Sequence, residues 1–178
     1  MENKYQKTLQ IFCVLFIYAL VIVPQKALAT TIPSPGFNLT HYRVNPNGQF
    51  HNRSIAWEYQ EVGVRDFIKQ NLSSMKAHGA DAIRVFVPNM HNFNRLQTWG
   101  VIPSAQDKIP QEVATNLSLF FNDVRDSGIS TLIVVFAPVG VNAPRSPDYN
   151  PEYIEENFRF IQNIRPIAQK NGPKNVYF

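Results

Sequence analysis

Arg84 is the residue whose chemistry most needs explaining. It interrupts the stretch Gly79–Pro88 (Gly-Ala-Asp-Ala-Ile-Arg-Val-Phe-Val-Pro), which is otherwise apolar from Ala82 to Val87. A continuous apolar, β-branched run reads as a strand covered on both faces. Alternation puts Ala82, Arg84 and Phe86 on one face and Ile83, Val85 and Val87 on the other. A guanidinium keeps its charge, so an inward Arg84 calls for an anionic acceptor on its own face. Other chemistries find little support. His41, His51, His78 and His91 show no H-x-H or H-E-x-x-H spacing, so no metal site is expected. No G-x-S-x-G elbow is present for a serine hydrolase, and no glycine-rich loop follows a strand to hold a nucleotide. No cofactor is expected.

Composition narrows the classes further. The chain has 178 residues and a formal charge of +4. Residues 1–29 read as a cleavable signal peptide: Lys4 and Lys7 form a basic start, Ile11–Val23 an apolar core, and Ala27-Leu28-Ala29 the cleavage site. The apolar core is too short to span a bilayer comfortably, so no stable membrane anchor is expected and the protein is secreted or periplasmic. Removing Lys4, Lys7, Lys26 and Glu2 lowers the charge from +4 to +2. No run of Lys or Arg survives to follow a phosphate backbone, so nucleic acid is not expected as a partner. The only cysteine, Cys13, leaves with the signal, which excludes disulfides and thiolate metal sites from the mature chain.

The elements that must position Arg84 follow from periodicity. Gly36–Tyr42 reads as a first strand, and Asn45-Pro46-Asn47-Gly48 as a turn. A helix over Val62–His78 buries Val64, Phe67, Ile68, Leu72 and Met75, and Gly79 stops it in the left-handed conformation. The Arg84 strand follows. A second helix starts at Pro110, buries Val113, Leu117, Phe120, Phe121 and Val124, and ends at Gly128. Thr131–Ala137 is a third strand. Asn150-Pro151-Glu152 starts a third helix that buries Ile154, Phe158, Ile161 and Ile164; Pro166 kinks or divides it and Gly172 ends it. Asn175–Phe178 opens a fourth strand.

Helix, glycine, short turn and strand recur three times, as a parallel sheet with right-handed crossovers requires. Each helix-to-strand turn is short and each strand-to-helix loop is long. Variable structure is thereby concentrated at the carboxyl ends of the strands, where ligands bind. Arg84 in mid-strand suits a barrel lumen, and a full barrel at this spacing needs about twice the present length. The fold class expected is α/β, with residues 30–178 the truncated first half of a (β/α)8 TIM barrel.

Residues Gly79–Pro88, the opening strand Gly36-Phe37-Asn38-Leu39-Thr40-His41-Tyr42 and the final Asn175-Val176-Tyr177-Phe178 together resemble glycoside hydrolase family 5, the cellulase and mannanase family. The resemblance implies a secreted enzyme that hydrolyses O-glycosidic bonds of a polysaccharide or oligosaccharide by a retaining two-glutamate mechanism. It implies that Arg84 hydrogen-bonds the nucleophilic glutamate. A fixed cation there keeps one carboxyl ionised beside another that must stay protonated. The chain departs from the family where strand three ends Phe136-Ala137-Pro138-Val139-Gly140, without the family's histidine, so cellulase specificity does not carry over. Both glutamates would fall beyond Phe178.

The carboxylates present agree with that. None lies at the carboxyl end of a predicted strand. Asp66, Glu112, Asp123, Glu155 and Glu156 fall on helices as solvated charges, and Glu58, Asp107 and Asp148 fall in loops. A retaining pair needs carboxyls about 5–5.5 Å apart on a rigid frame, so this chain alone is expected to lack activity. His41, Asn89 and His91 fall just past strands one and two, where they would bind sugar hydroxyls or be plain loop residues. Trp99 leads the loop aromatics Trp57, Trp99 and Tyr149 as a stacking surface. Sequons start at Asn38, Asn52, Asn71 and Asn116; a glycan on Asn38, in a strand, would clash. The alternative function is a non-catalytic secreted carbohydrate-binding or scaffold protein. A homodimer through unpaired sheet edges is a further possibility.

Overall fold

The computed structural model describes residues 36–39, 43–44, 50–51, 54–92, 100–145 and 150–178. All belong to one compact unit, Ser34–Phe178. The signal peptide over residues 1–29, the turn Asn45–Gly48, the sequon at Asn52 and the candidates His41, Trp99 and Tyr149 lie outside the described residues.

Strand β1 (Gly36–Leu39) is followed by a short antiparallel pair, β2 (Arg43–Val44) and β3 (Phe50–His51). Then come α1 (Val64–Ala77), β4 (Ala82–Met90), β5 (Ile102–Pro103), α2 (Gln111–Asp126) and β6 (Thr131–Pro138). A 3-10 turn at Gly140–Asn142, α3 (Tyr153–Asn171) and β7 (Asn175–Tyr177) complete the chain. The main sheet is parallel, in the order β1-β4-β6-β7, with β5 joining the far end of β4. This is an α/β fold with short helix-to-strand turns and long strand-to-helix loops.

Strand order follows chain order without a reversal. Right-handed crossovers taken in one direction stack successive helices on one face of a sheet, and the burial pattern agrees. Ile83, Val85 and Val87 of β4 and Leu132 and Val134 of β6 are buried with the apolar stripes of the three helices. The opposite face holds Arg84, Phe86, Ile133 and Val135, none of them buried. The Arg84 strand was expected to be covered on both faces; among the described residues only one is. β4 also runs three residues past the predicted end and through Pro88. That proline falls between Ala82–Val85, paired with β1, and Asn89–Met90, paired with β5, so on that edge no ladder partner loses a donor.

Gly79 and Gly128 end α1 and α2 at φ of +87° and +81°, the left-handed stop expected of them. Gly172 differs: its φ is −75°, and it is needed for room, since a Cβ there would lie 2.6 Å from the Ala168 carbonyl oxygen. α3 differs from expectation twice. It is unbroken through Pro166, where both the proline and Gln162, whose carbonyl loses its donor, face solvent. Its buried stripe is Glu156, Phe160, Ile164 and Ala168, while Ile154 and Phe158 are exposed. A buried carboxylate near its amino end sets that rotation.

The second helix buries all five residues expected of it, together with Asn116 and Asp123. Asn116 donates to the Ala56 carbonyl at 3.0 Å and accepts from Gln60 at 2.9 Å, so its sequon is closed to modification in the folded chain. Asn38 is exposed, on the uncovered face.

Candidate functional site

The long loops after β4 and β6 meet the first turns of α3 at the carboxyl ends of the strands, and a buried polar cluster joins them. At its centre is Glu156, 4% exposed. Its Oε1 accepts from the Ser104 hydroxyl at 2.5 Å and from Asn142 Nδ2 at 2.9 Å; its Oε2 lies 2.6 Å from His91 Nδ1. Asn142 Oδ1 accepts from the His91 backbone N–H at 2.6 Å. Asn89 Nδ2 donates to Ser104 Oγ at 3.1 Å and to Asn157 Oδ1 at 2.8 Å. The His91 ring stacks on Tyr153 with centroids 4.5 Å apart. One carboxylate thus ties two strand-to-helix loops to one helix.

Burial pushes the Glu156 carboxyl up, but the hydrogen bonds from Ser104, His91 and Asn142 outweigh it and hold the group below the usual glutamate range. Glu156 is therefore not the solvated helix charge expected of it. Asp123 is a second such case. Tyr59, fully buried, donates to its Oδ2 at 2.7 Å; Arg65 Nε reaches the same oxygen at 2.7 Å and Arg65 Nη2 reaches Oδ1 at 3.0 Å. Here too burial raises the pKa, and the bonds from Arg65 and Tyr59 outweigh it.

The candidate residues fall in two places. Asn89 is 1% exposed, and its amide nitrogen is used within the cluster. His91 keeps 31% of its side chain exposed. Both continue the helix-side face of β4. Arg84 stands on the opposite face and is exposed; its guanidinium lies 4.6 Å from the Phe86 ring centroid. Among the described residues no carboxylate pairs with it. The expected burial of Arg84 is corrected: among the described residues nothing covers this face, and the guanidinium is exposed over the Phe86 ring.

Ser104, Asn142, Asn157 and Glu156 carry no motif and were not foreseen. The available signal was phase. Glu156 lies four residues before Phe160 and eight before Ile164, a charge on an apolar stripe. Among the described residues no group of three or more His, Cys, Asp or Glu is placed to hold a metal ion. No described helix is long and apolar enough to cross a membrane.

The two lowered carboxylates give a pH expectation. Each contributes stability that is present above the unfolded carboxyl's pKa, about 4, and is lost as pH falls through its lower folded value. Tyr59 works at the other end. Burial, then its bond to Asp123, raises its pKa, so its contribution is present below the unfolded phenol's value, about 10, and is lost at higher pH. Urea unfolding across pH should show stability falling below about pH 4 and again above about pH 10. Y59F should remove the tyrosine's share of the alkaline limb and also weaken the acid limb, because the hydroxyl is one of the donors that hold Asp123 low.

No family model, curated protein or solved structure matches this chain.

Proposed function

We propose that the chain forms the first four strands of a (β/α)8 barrel in a secreted glycoside hydrolase resembling family 5, acting on polysaccharide or oligosaccharide by a retaining mechanism. One observation carries this reading. Four parallel strands lie in chain order with helices against one face, and among the described residues the other face is uncovered and carries Arg84. A doubly wound sheet would reverse its strand order and carry helices on both faces. Closing a sheet of this order into a barrel turns the uncovered face into the lumen and gives β1 and β7 partners on their open edges.

Arg84 would then stand in the lumen and hold the nucleophilic glutamate of the remaining strands ionised. His91 would contact substrate at the rim; His41 and Trp99, which lie outside the described residues, remain candidates for the same role on the resemblance. A homodimer closed through the same edges is less well supported. A second copy adds a second Arg84, and the described uncovered face adds no carboxylate to either. The commitment of Glu156 and Asp123 to buried clusters favours one other reading, a secreted carbohydrate-binding protein without catalysis.

The test is release of reducing ends from β-glucan and mannan by the product of the complete coding sequence, beside the chain Met1–Phe178. Release by the former and none by the latter supports the hydrolase. Retention on the polysaccharide without release supports the binding protein. The absence of both release and retention removes carbohydrate from consideration.

A further inference from the structure

The cluster around Glu156 does more than fasten loops. A carboxylate can only accept hydrogen bonds. With Oε1 taken by Ser104 and Asn142, Oε2 faces His91 Nδ1 at 2.6 Å, so Nδ1 must carry the proton. In the neutral ring Nε2 is then left with a lone pair. Stacking on Tyr153 fixes the ring plane, with 29° between the two rings. Nε2 lies on the edge turned away from Glu156, and 31% of the side chain is exposed.

We propose that Glu156 is a positioning residue that locks His91 in the Nδ1–H tautomer and so presents Nε2, at the rim of the strand ends, as an acceptor for a hydroxyl of a bound saccharide. The saccharide rests on the function proposed above; the tautomer does not. The chain carboxylate, imidazole, hydroxyl is polarised in one direction, which strengthens each bond in it.

Glu156→Gln separates this from a packing role. The variant keeps the shape. Its single amide oxygen must serve Ser104 and Asn142, which leaves the amide nitrogen facing His91. Nδ1 must then accept, and the proton moves to Nε2. Long-range proton–nitrogen correlation on histidine-labelled protein at pH 8 reads the tautomer directly, with His91 assigned by its loss in H91N. Wild type should show a protonated Nδ1 and a bare Nε2, and E156Q the reverse.

Titration with cellotetraose or mannotetraose should shift wild-type Nε2. The affinity of E156Q should be about fivefold weaker, the scale of one ordinary hydrogen bond. A bare Nδ1 in wild type, an unchanged tautomer in E156Q, or saturation that leaves Nε2 unmoved each overturns the proposal. Should E156Q fail to fold, the wild-type tautomer and titration decide. Failure of the hydrolase reading shows separately, as no reducing ends released while Nε2 still responds.

Discussion

Asp123→Ala is expected to destabilise the fold by about 3 kcal/mol. Truncation leaves the fully buried Tyr59 hydroxyl without its acceptor, and an unsatisfied buried donor costs about 1–3 kcal/mol. It also releases both Arg65 bonds. That part is discounted, because Arg65 is 39% exposed and water can replace the carboxylate. Tyr59→Phe removes only the donor, keeps the edge-on contact with Phe120, and should cost about 1 kcal/mol. The double variant should cost less than the sum, because once the hydroxyl is gone Asp123→Ala no longer strands it. Urea unfolding of the four proteins closes the cycle. Strict additivity would mean that the 2.7 Å contact between the tyrosine and the carboxylate carries no coupling.

The group also shows where sequence reasoning worked and where it stopped. The stripe Val113, Leu117, Phe120, Phe121, Val124 was legible because its spacing repeats with the helix. The glycine stops at 79 and 128, the parallel strands and the lopsided loops were legible for the same reason: each is a local pattern with one structural solution. Asp123 lies between Phe120 and Val124 on that stripe, and Glu156 lies in phase with Phe160 and Ile164. Their types pointed outward and their phases inward. Only partners distant in sequence resolve the conflict: Tyr59 and Arg65 for one, His91 and Ser104 for the other. The rotation of α3 was misjudged for that reason. Ile154 and Phe158 are more apolar than Glu156, yet three hydrogen bonds to one carboxylate turn the helix the other way. Arg84 is the converse case. Its face was assigned correctly by alternation, but its partner was inferred from burial, and burial depends on what covers the sheet.

On the hydrolase proposed above, Arg84→Ala in the product of the complete coding sequence should therefore separate activity from stability. The side chain is exposed and its described contact is the Phe86 ring, so unfolding should shift by no more than about 0.5 kcal/mol. Turnover should fall by about 10²–10³, the usual loss when a preorganised donor is taken from charge that matters in the transition state. Arg84→Lys should recover little, because an ammonium lacks the planar fork that addresses a carboxylate in two places. The pH profile tests the role itself. A nucleophile must be ionised, and a neighbouring cation lowers its pKa. Without Arg84 that pKa rises, so the acid limb of kcat should move to higher pH. A structural role would lower activity at every pH without moving the limb. An unchanged kcat and an unmoved limb would return Arg84 to the surface, where water and an aromatic ring already satisfy it, and the uncovered face would lose its claim to be a lumen.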